Sequence, residues 1–181
     1  MPVSGPSWCM MRGMRVVDAA IFATPPFHRL VPITERYQTA PVLEAFNWTD
    51  VLAEIPSGHW YLVVFRSLRR HDADDDLLVD HDDLAFAEAM RLGGLLRYYK
   101  GVMDPERHCV SLCVWERRAQ ARVATALPDH RAAAELTHRF YVWYDVERHI
   151  LRKRRGSRQP ELVGLPGYRH RPSVDWDARQ N

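Results

Sequence analysis

The stretch from His108 to Lys153 reads HCVSLCVWERRAQARVATALPDHRAAAELTHRFYVWYDVERHILRK and decides the fold. Runs rich in β-branched and aromatic residues at its two ends predict strands, and the Ala-rich middle predicts helix. Proline cannot continue a helix, so the helical part is expected in two pieces. The predicted order is a strand at 109–115, a helix at about 116–127, a break at Pro128, a helix at about 130–143 capped by Asp129, and a strand at 146–153.

Two further strands and a helix precede this stretch. HWYLVVFRSL at 59–68 predicts a central strand, and the apolar stripe of 74–91 predicts a helix that ends at Gly93-Gly94. Residues 94–102 predict a strand that the turn 104–107 joins to the next one as a hairpin. The order is therefore β-α-β-β-α-β, which is the ferredoxin-like α+β arrangement.

This arrangement predicts an antiparallel sheet with its helices on one face. Nothing in the predicted order covers the other face. Such a face is either a binding surface or a subunit interface. Two sheets that close face to face would form a dimeric α/β barrel, so we expect a homodimer.

The chain divides into three parts at the sequence level. Residues 1–46 are expected to form an extended arm, anchored by Phe27, Leu30 and Tyr37, and residues 47–155 to form the ferredoxin-like domain. The domain begins with a short helix at 48–55, for which Asn47 or Thr49 is the expected cap. Residues 156–181 are expected to be a tail, in which four apolar residues are candidates for docking: Leu162, Leu165, Tyr168 and Trp176.

Composition excludes several classes of protein. The net charge is +2, and no basic face with interleaved aromatic residues is visible, so we expect no nucleic-acid partner. No run of 18 apolar residues occurs, so we expect no membrane span. Three cysteines are too few for a disulfide framework, which indicates a reducing, cytoplasmic location. No cofactor or metal is expected, because no nucleotide fingerprint or paired metal-ligand motif is present.

The sequence resembles the dimeric α/β-barrel superfamily, and within it an uncharacterised family. The resemblance rests on the run from Trp115 to His130, in which a Trp-bearing strand leads into an Ala-rich helix and a Pro-x-His break. Matching runs elsewhere are Phe46-Asn47-Trp48, Phe65-Arg66-Ser67-Leu68, Gly93-Gly94-Leu95-Leu96 with Tyr98-Tyr99, and Trp143-Tyr144 before Glu147-Arg148. The wider superfamily is similar to cofactor-free monooxygenases, polyketide cyclases, haem proteins and stress proteins, so the resemblance implies a fold and leaves the activity open.

Strand alternation supplies the candidate ligand-binding residues. The aliphatic residues Val110, Leu112 and Val114 are expected to face the helices. The opposite side of the same strand, with Ser111 and Trp115, is then expected to line the barrel. Arg66, Arg97 and Tyr99 are expected to join that side, where arginine suits a carboxylate or enolate. The alternative is that these three residues make structural pairs inside an interface.

His130 is the candidate catalytic residue, as a general base at a helix start. The alternative is a local hydrogen bond in the first helical turn. The acidic run 71–83 invites a metal but lacks the spacing of a calcium loop, so a solvated helix start is the preferred interpretation. Cys113 is expected to be a packed thiol.

Three functions remain open from the sequence. The leading hypothesis is a protein that binds a small aromatic or polyketide-like molecule, as a cofactor-free monooxygenase or cyclase. The alternatives are a non-catalytic dimeric scaffold or stress protein and a haem-binding protein. An enzyme requires an open cavity of ligand size with converging polar groups, whereas a scaffold should be packed shut.

Overall fold

The computed structural model of the protein describes residues 25–165. After a single 3-10 turn, Phe27–Arg29, the chain forms six helices and five strands within that range. In chain order they are α1 Val42–Ala45, α2 Trp48–Val51, β1 Gly58–Arg69, α3 Asp75–Leu92, β2 Leu95–Tyr99, β3 His108–Trp115, α4 Arg118–Ala124, α5 Pro128–Glu135, α6 Thr137–Phe140, β4 Tyr141–Lys153 and β5 Glu161–Val163.

The five strands form one antiparallel sheet in the order β2-β3-β1-β4-β5. The first four strands have the order of a ferredoxin-like fold, so the predicted β-α-β-β-α-β architecture is confirmed. Residues 161–163, which lie within the expected tail, add β5 beside β4. Leu165 is buried behind it, whereas Tyr168 and Trp176 lie outside the described residues.

Local sequence signals explain the boundaries of α3. The Asp74 carboxylate accepts a hydrogen bond of 3.0 Å from the backbone N–H of Leu77 and satisfies a donor that the first helical turn leaves free. Gly93 ends the helix at φ 82°, a left-handed conformation that glycine adopts without a steric penalty. The predicted helix at 74–91 therefore agrees with the structure to within one residue at each end.

The prediction for the segment after Pro128 was partly wrong. Pro128 is itself the first residue of α5, where its missing N–H is not needed, so Leu127 and not Asp129 occupies the cap position. The helix ends at Glu135, and after the single turn α6 the chain extends from Tyr141. Trp143 thus lies in β4 and not at a helix end. The long partner strand β1 draws residues 141–153 into the sheet, because β4 pairs along its whole length.

A second correction concerns the sheet face that was expected to be open. The covering segment, residues 27–55, lies across that face and forms one core with its aliphatic side chains. Phe27, Leu30 and Tyr37 are buried, as predicted for the anchors of the arm. Trp48 is 1% exposed, and its indole Nε1 donates a hydrogen bond of 2.8 Å to the Val42 carbonyl.

Asn47 does not cap α2, contrary to one of the two expectations, because no side-chain cap bond forms there. Its amide instead ties two parts of the covering segment together. Oδ1 accepts from the Val31 N–H at 2.9 Å, and Nδ2 donates to the Arg29 carbonyl at 3.0 Å. A homodimer stays a prediction, and this face is occupied by the protein's own chain.

Candidate functional site

A cavity of about 420 Å³ lies between the sheet and the helices α3, α4 and α5. This volume falls within the range of ligand pockets, roughly 300–1,000 Å³. The sheet side is formed by alternate residues of β1, β3 and β4, including Val63, Phe65, Ser111, Cys113, Trp115 and Tyr144. Small side chains on the helices, including Ala85, Ala89, Ala121, Ala124 and Ala133, leave the space open.

Register explains why these side chains share one face. Tyr61 lies opposite Trp115, Val63 opposite Cys113 and Phe65 opposite Ser111, and cross-strand partners point to the same side of a sheet. The prediction that Val110, Leu112 and Val114 face the helices is therefore wrong. Those three residues contact the covering segment, and it is the Ser111 side of β3 that faces the helices.

Aromatic rings give the cavity its walls. Phe65 stacks on Tyr144 with ring centroids 6.2 Å apart, and Tyr141 lies 5.0 Å from Tyr144. On the helix side, Phe86 contacts Tyr98 at 5.2 Å. Burial raises the pKa of both Tyr141 and Tyr144, so these tyrosines present neutral hydroxyl groups.

One polar cluster joins α3 to the end of β2. The hydroxyl of Tyr98 donates a hydrogen bond of 2.7 Å to Asp82 Oδ1, and Lys100 Nζ forms an ion pair of 2.7 Å with Oδ2 of the same carboxylate. Lys100 also lies 3.3 Å from Asp83. Burial raises the pKa of Tyr98, and the adjacent Asp82 charge raises it further. Burial alone would lower the pKa of Lys100, but the two carboxylates outweigh it and raise that pKa.

A second polar cluster lies where α3 meets the start of α5. Glu88 Oε2 accepts hydrogen bonds from the backbone N–H groups of Asp129 at 3.0 Å and His130 at 3.2 Å. The His130 ring lines the cavity, with Nδ1 3.6 Å from the same oxygen. Burial pushes the pKa of Glu88 upward, but these N–H donors and the His130 ring prevail and lower it. Glu88 therefore stays ionised beside His130.

The structure brings three of the six predicted site residues together. Ser111, Trp115 and His130 all line the cavity. Their roles in binding and catalysis stay predictions. Arg66, Arg97 and Tyr99 lie on the opposite face of the sheet, so their expected place beside Ser111 and Trp115 was wrong.

Arg66 is on that opposite face because it pairs with Val110 across β1 and β3. All of its polar contacts hold the chain together. Nη1 donates to the Gln38 carbonyl and Nη2 to the Ala40 carbonyl, each at 2.8 Å, while Nε donates to Glu147 at 2.6 Å. These contacts agree with the alternative interpretation of Arg66, in which it makes a structural pair.

A bulge in β2 explains the positions of the other two residues. Leu95 and Arg97 pair with the consecutive residues Trp115 and Val114, so the register shifts by one at Leu96. The side chains of β2 therefore do not alternate regularly between the two faces of the sheet. Leu95 shares the cavity face with Tyr98 and not with Arg97.

Arg97 and Tyr99 instead help to hold the covering segment. Arg97 Nη2 donates to the Leu30 carbonyl at 3.4 Å, and the ring of Tyr99 packs edge-on against Phe46 at 5.1 Å and Tyr37 at 6.1 Å. These contacts are structural and lie on the side of the sheet away from the cavity.

Tyr98 and Asp82 are site residues that sequence reasoning missed. Asp82 stood in an acidic run that was interpreted as solvated, and most of that run does behave so, since Asp72 pairs with Arg70 and Asp75 with Arg69 at the surface. One signal was present. Asp82 lies four residues after Leu78 and four before Phe86, so helical periodicity places it on the same side as that apolar stripe, which lines the cavity.

Two other candidate chemistries can be placed in the structure. Cys113 is a free thiol in the cavity wall, and burial raises its pKa, which agrees with a packed and unreactive group. One possible ligand atom from each of Asp104, Glu106 and His108 lies within 4.8 Å of the others, where the turn at 104–107 meets β3, an arrangement that could hold a metal ion. There the Asp104 carboxylate accepts from the backbone N–H of His108 at 2.7 Å, a contact that shapes the turn.

Within the described range, no helix is both long and apolar enough to span a membrane.

Comparison with known proteins gives a family and a set of distant structural neighbours. The model of a family described as PB2B2.08-like matches residues 16–163. No curated protein matches the chain.

Among solved structures, SnoaB of Streptomyces nogalater, a cofactor-independent oxygenase, is 16% identical with a TM-score of 0.41. The match covers 53% of this chain and 93% of SnoaB. A candidate antibiotic biosynthesis monooxygenase of Nitrosomonas europaea is 10% identical with a TM-score of 0.44, over 51% of this chain and 89% of that one. At such identities and TM-scores, no activity is carried from these proteins to this chain.

Proposed function

This chain therefore belongs to the PB2B2.08-like family, and we propose that it binds a small aromatic molecule bearing a hydroxyl group in the cavity between its sheet and α3–α5. The observation that carries the proposal is the cavity itself, which is about 420 Å³ in volume and walled by aromatic rings. A scaffold protein would fill this space with its own side chains, because protein interiors are close-packed.

The composition of the wall supports an aromatic ligand. Phe65, Tyr144 and Trp115 offer flat apolar surfaces, and aromatic pairs contribute about 0.5–1.5 kcal/mol beyond the burial of their area. The cavity surface is mostly apolar, and two of its polar groups, Tyr98 and His130, lie next to carboxylates of α3. A mostly apolar cavity with placed polar groups is typical of small-molecule sites.

His130 is the residue that we propose as a base. Glu88 is ionised and lies 3.6 Å from Nδ1, so it stabilises the imidazolium that forms when His130 takes a proton. Removal of a proton from a hydroxylated aromatic ligand leaves an electron-rich anion. Such an anion is the species that a cofactor-free oxygenase or a cyclase acts on, and either chemistry is consistent with this proposal.

Binding can be tested with 1,8-dihydroxyanthrone, followed by quenching of tryptophan fluorescence. We compare Ala133→Leu, which fills the cavity, with Ala132→Leu, which changes the neighbouring residue of the same helix outside the cavity wall. The filled variant should bind at least about tenfold more weakly, because overpacking leaves no room for the ligand. Equal affinity in the two variants would refute the site, and no binding to the wild-type protein would favour the scaffold.

Chemistry can be tested on the same compound through oxygen uptake and appearance of the dihydroxyanthraquinone. One O2 is consumed, and one quinone and one water are formed, for each anthrone oxidised. His130→Gln should retain binding and lose turnover by about 10²-fold or more, whereas His138→Gln, exposed near the same helices, should not change it. A protein that binds the anthrone but oxidises it in no variant is a binding protein for this ligand.

A Soret band upon addition of hemin, lost in Ala133→Leu, would instead indicate haem in the cavity.

A further inference from the structure

We propose that Tyr98, held by Asp82 and Lys100, is the group that selects a hydrogen-bond donor on the ligand, so that the cavity prefers hydroxyaryl compounds to their alkoxy or keto analogues. This inference rests on the proposed function, because it assigns a specificity to the same cavity. It names a group distinct from His130 and does not depend on any reaction.

The argument begins with the direction of one proton. Asp82 is a carboxylate paired with Lys100, and an ionised carboxylate only accepts hydrogen bonds. The Tyr98 hydroxyl, 2.7 Å from Asp82 Oδ1, must therefore donate its proton to Asp82. Burial and the Asp82 charge raise the pKa of Tyr98, so the proton stays on the tyrosine. What Tyr98 has left to offer the cavity is the lone pairs of its oxygen.

An oxygen that can only accept distinguishes two kinds of ligand. A ligand O–H can donate to Tyr98, whereas an ether or carbonyl oxygen would face it lone pair to lone pair. A buried acceptor left without a hydrogen-bond partner is unfavourable. We therefore expect a ligand with an O–H group to bind roughly tenfold more tightly, or better, than one that can only accept. The cluster thus excludes acceptor-only ligands as much as it attracts donors.

The position of the cluster supports a ligand that spans the cavity. Asp82 and Glu88 are six residues apart on α3, which corresponds to about 9 Å along the helix axis. His130 lies beside Glu88, at the other end of that interval. The spacing suits a fused polycyclic aromatic compound that has its hydroxyl group at Tyr98 and its opposite edge near His130.

Lys100 fixes the orientation of the cluster and allows a sharp test. In Asp82→Asn the amide should turn its oxygen toward the Lys100 ammonium, because both the ammonium and the amide NH2 group are donors, and its NH2 group toward Tyr98. The Tyr98 oxygen would then accept from Asn, and its own O–H would point into the cavity. This substitution should convert Tyr98 from an acceptor into a donor without altering its place.

The experiment measures the affinities of 2-naphthol and 2-methoxynaphthalene by calorimetry for the wild-type protein and three variants. The wild-type protein should bind 2-naphthol more tightly than 2-methoxynaphthalene, by a factor of about ten or more. Tyr98→Phe should abolish that ratio, and Tyr141→Phe, which removes another hydroxyl group from the cavity wall, should preserve it. Asp82→Asn should bind 2-methoxynaphthalene more tightly than the wild-type protein does.

The outcomes separate this inference from the proposal on which it rests. If the wild-type protein binds neither compound, the proposed function fails. If it binds both with equal affinity, or if Tyr98→Phe keeps the preference, the role of Tyr98 is refuted while the binding site stands. If Tyr98→Phe does not fold, the change in preference of Asp82→Asn decides the matter, and an unchanged ratio there overturns the inference.

Discussion

Replacement of Glu147 by glutamine should destabilise the protein in a pH-dependent way. The carboxylate accepts from His149 at 3.1 Å and from Arg66 at 2.6 Å, on the sheet face beneath the covering segment. The His149 contact contributes most, and together with Arg66 it lowers the pKa of Glu147 to about 2 against the opposing effect of burial. A glutamine has nearly the same shape and cannot ionise.

The size of the effect follows from the lowered pKa. One pKa unit is worth about 1.4 kcal/mol, so a fall from 4.5 to about 2 corresponds to roughly 3 kcal/mol of stability. The side chain keeps 20% of its surface exposed, and solvent screening reduces the expected value to about 2 kcal/mol. Because the folded-state pKa is depressed, this stability is present above pH 4.5 and is lost as the pH falls toward 2.

The assay is urea unfolding of the wild-type protein and Glu147→Gln at several pH values between 7 and 3. The difference in the free energy of unfolding should be about 2 kcal/mol at pH 7, or roughly 4–8 °C in Tm, and should shrink to less than half by pH 3. Glu35→Gln, an exposed glutamate within the covering segment, serves as the control and should show almost no difference at any pH. A Glu147→Gln difference that stays constant from pH 7 to pH 3 would refute the reasoning.

Two further substitutions test the fold by the same unfolding measurement. In Gly101→Ala the new Cβ would lie 1.8 Å from the Val110 carbonyl oxygen, so we expect the free energy of unfolding to fall by roughly 1–3 kcal/mol. Gly164→Ala has open space around its new Cβ and should change that free energy by less than about 0.5 kcal/mol. Equal losses in the two variants would contradict the close approach at Gly101. Asp74→Ala removes the cap of α3 and should lower the free energy of unfolding by about 1 kcal/mol. Asp76→Ala, in the same helical turn, should lower it by less. A larger loss in Asp76→Ala would show that the cap bond is unimportant.

Much of the fold could be predicted from the sequence, because its strongest signals are local. β-branched and aromatic runs marked β1 and β3, and Asp74 with Gly93 bounded α3. The strand order followed from these elements, since few topologies accommodate this succession of strands and helices. The error at 141–145 arose where local signals conflicted. Tyr and Trp suit either a strand or a buried helix side, and pairing with β1 decided between them.

The candidate site was less predictable, because it depends on which side of each strand meets the helices. A sequence fixes the alternation of side chains but not the layer that covers each face. His130, Ser111 and Trp115 all line the cavity, yet Arg66 was grouped with them although it lies on the other face of the sheet.

The sequence by itself determined most of the strands and helices and the ferredoxin-like order in which they follow one another. Only the tertiary structure decided three things: that residues 27–55 cover one face of the sheet, that the bulge at Leu96 brings Tyr98 to the other, and that the cavity lies between that second face and the helices. The physical reason is that burial of the large apolar residues of the covering segment and the one-residue shift of register are long-range effects, and no local pattern of residues encodes them.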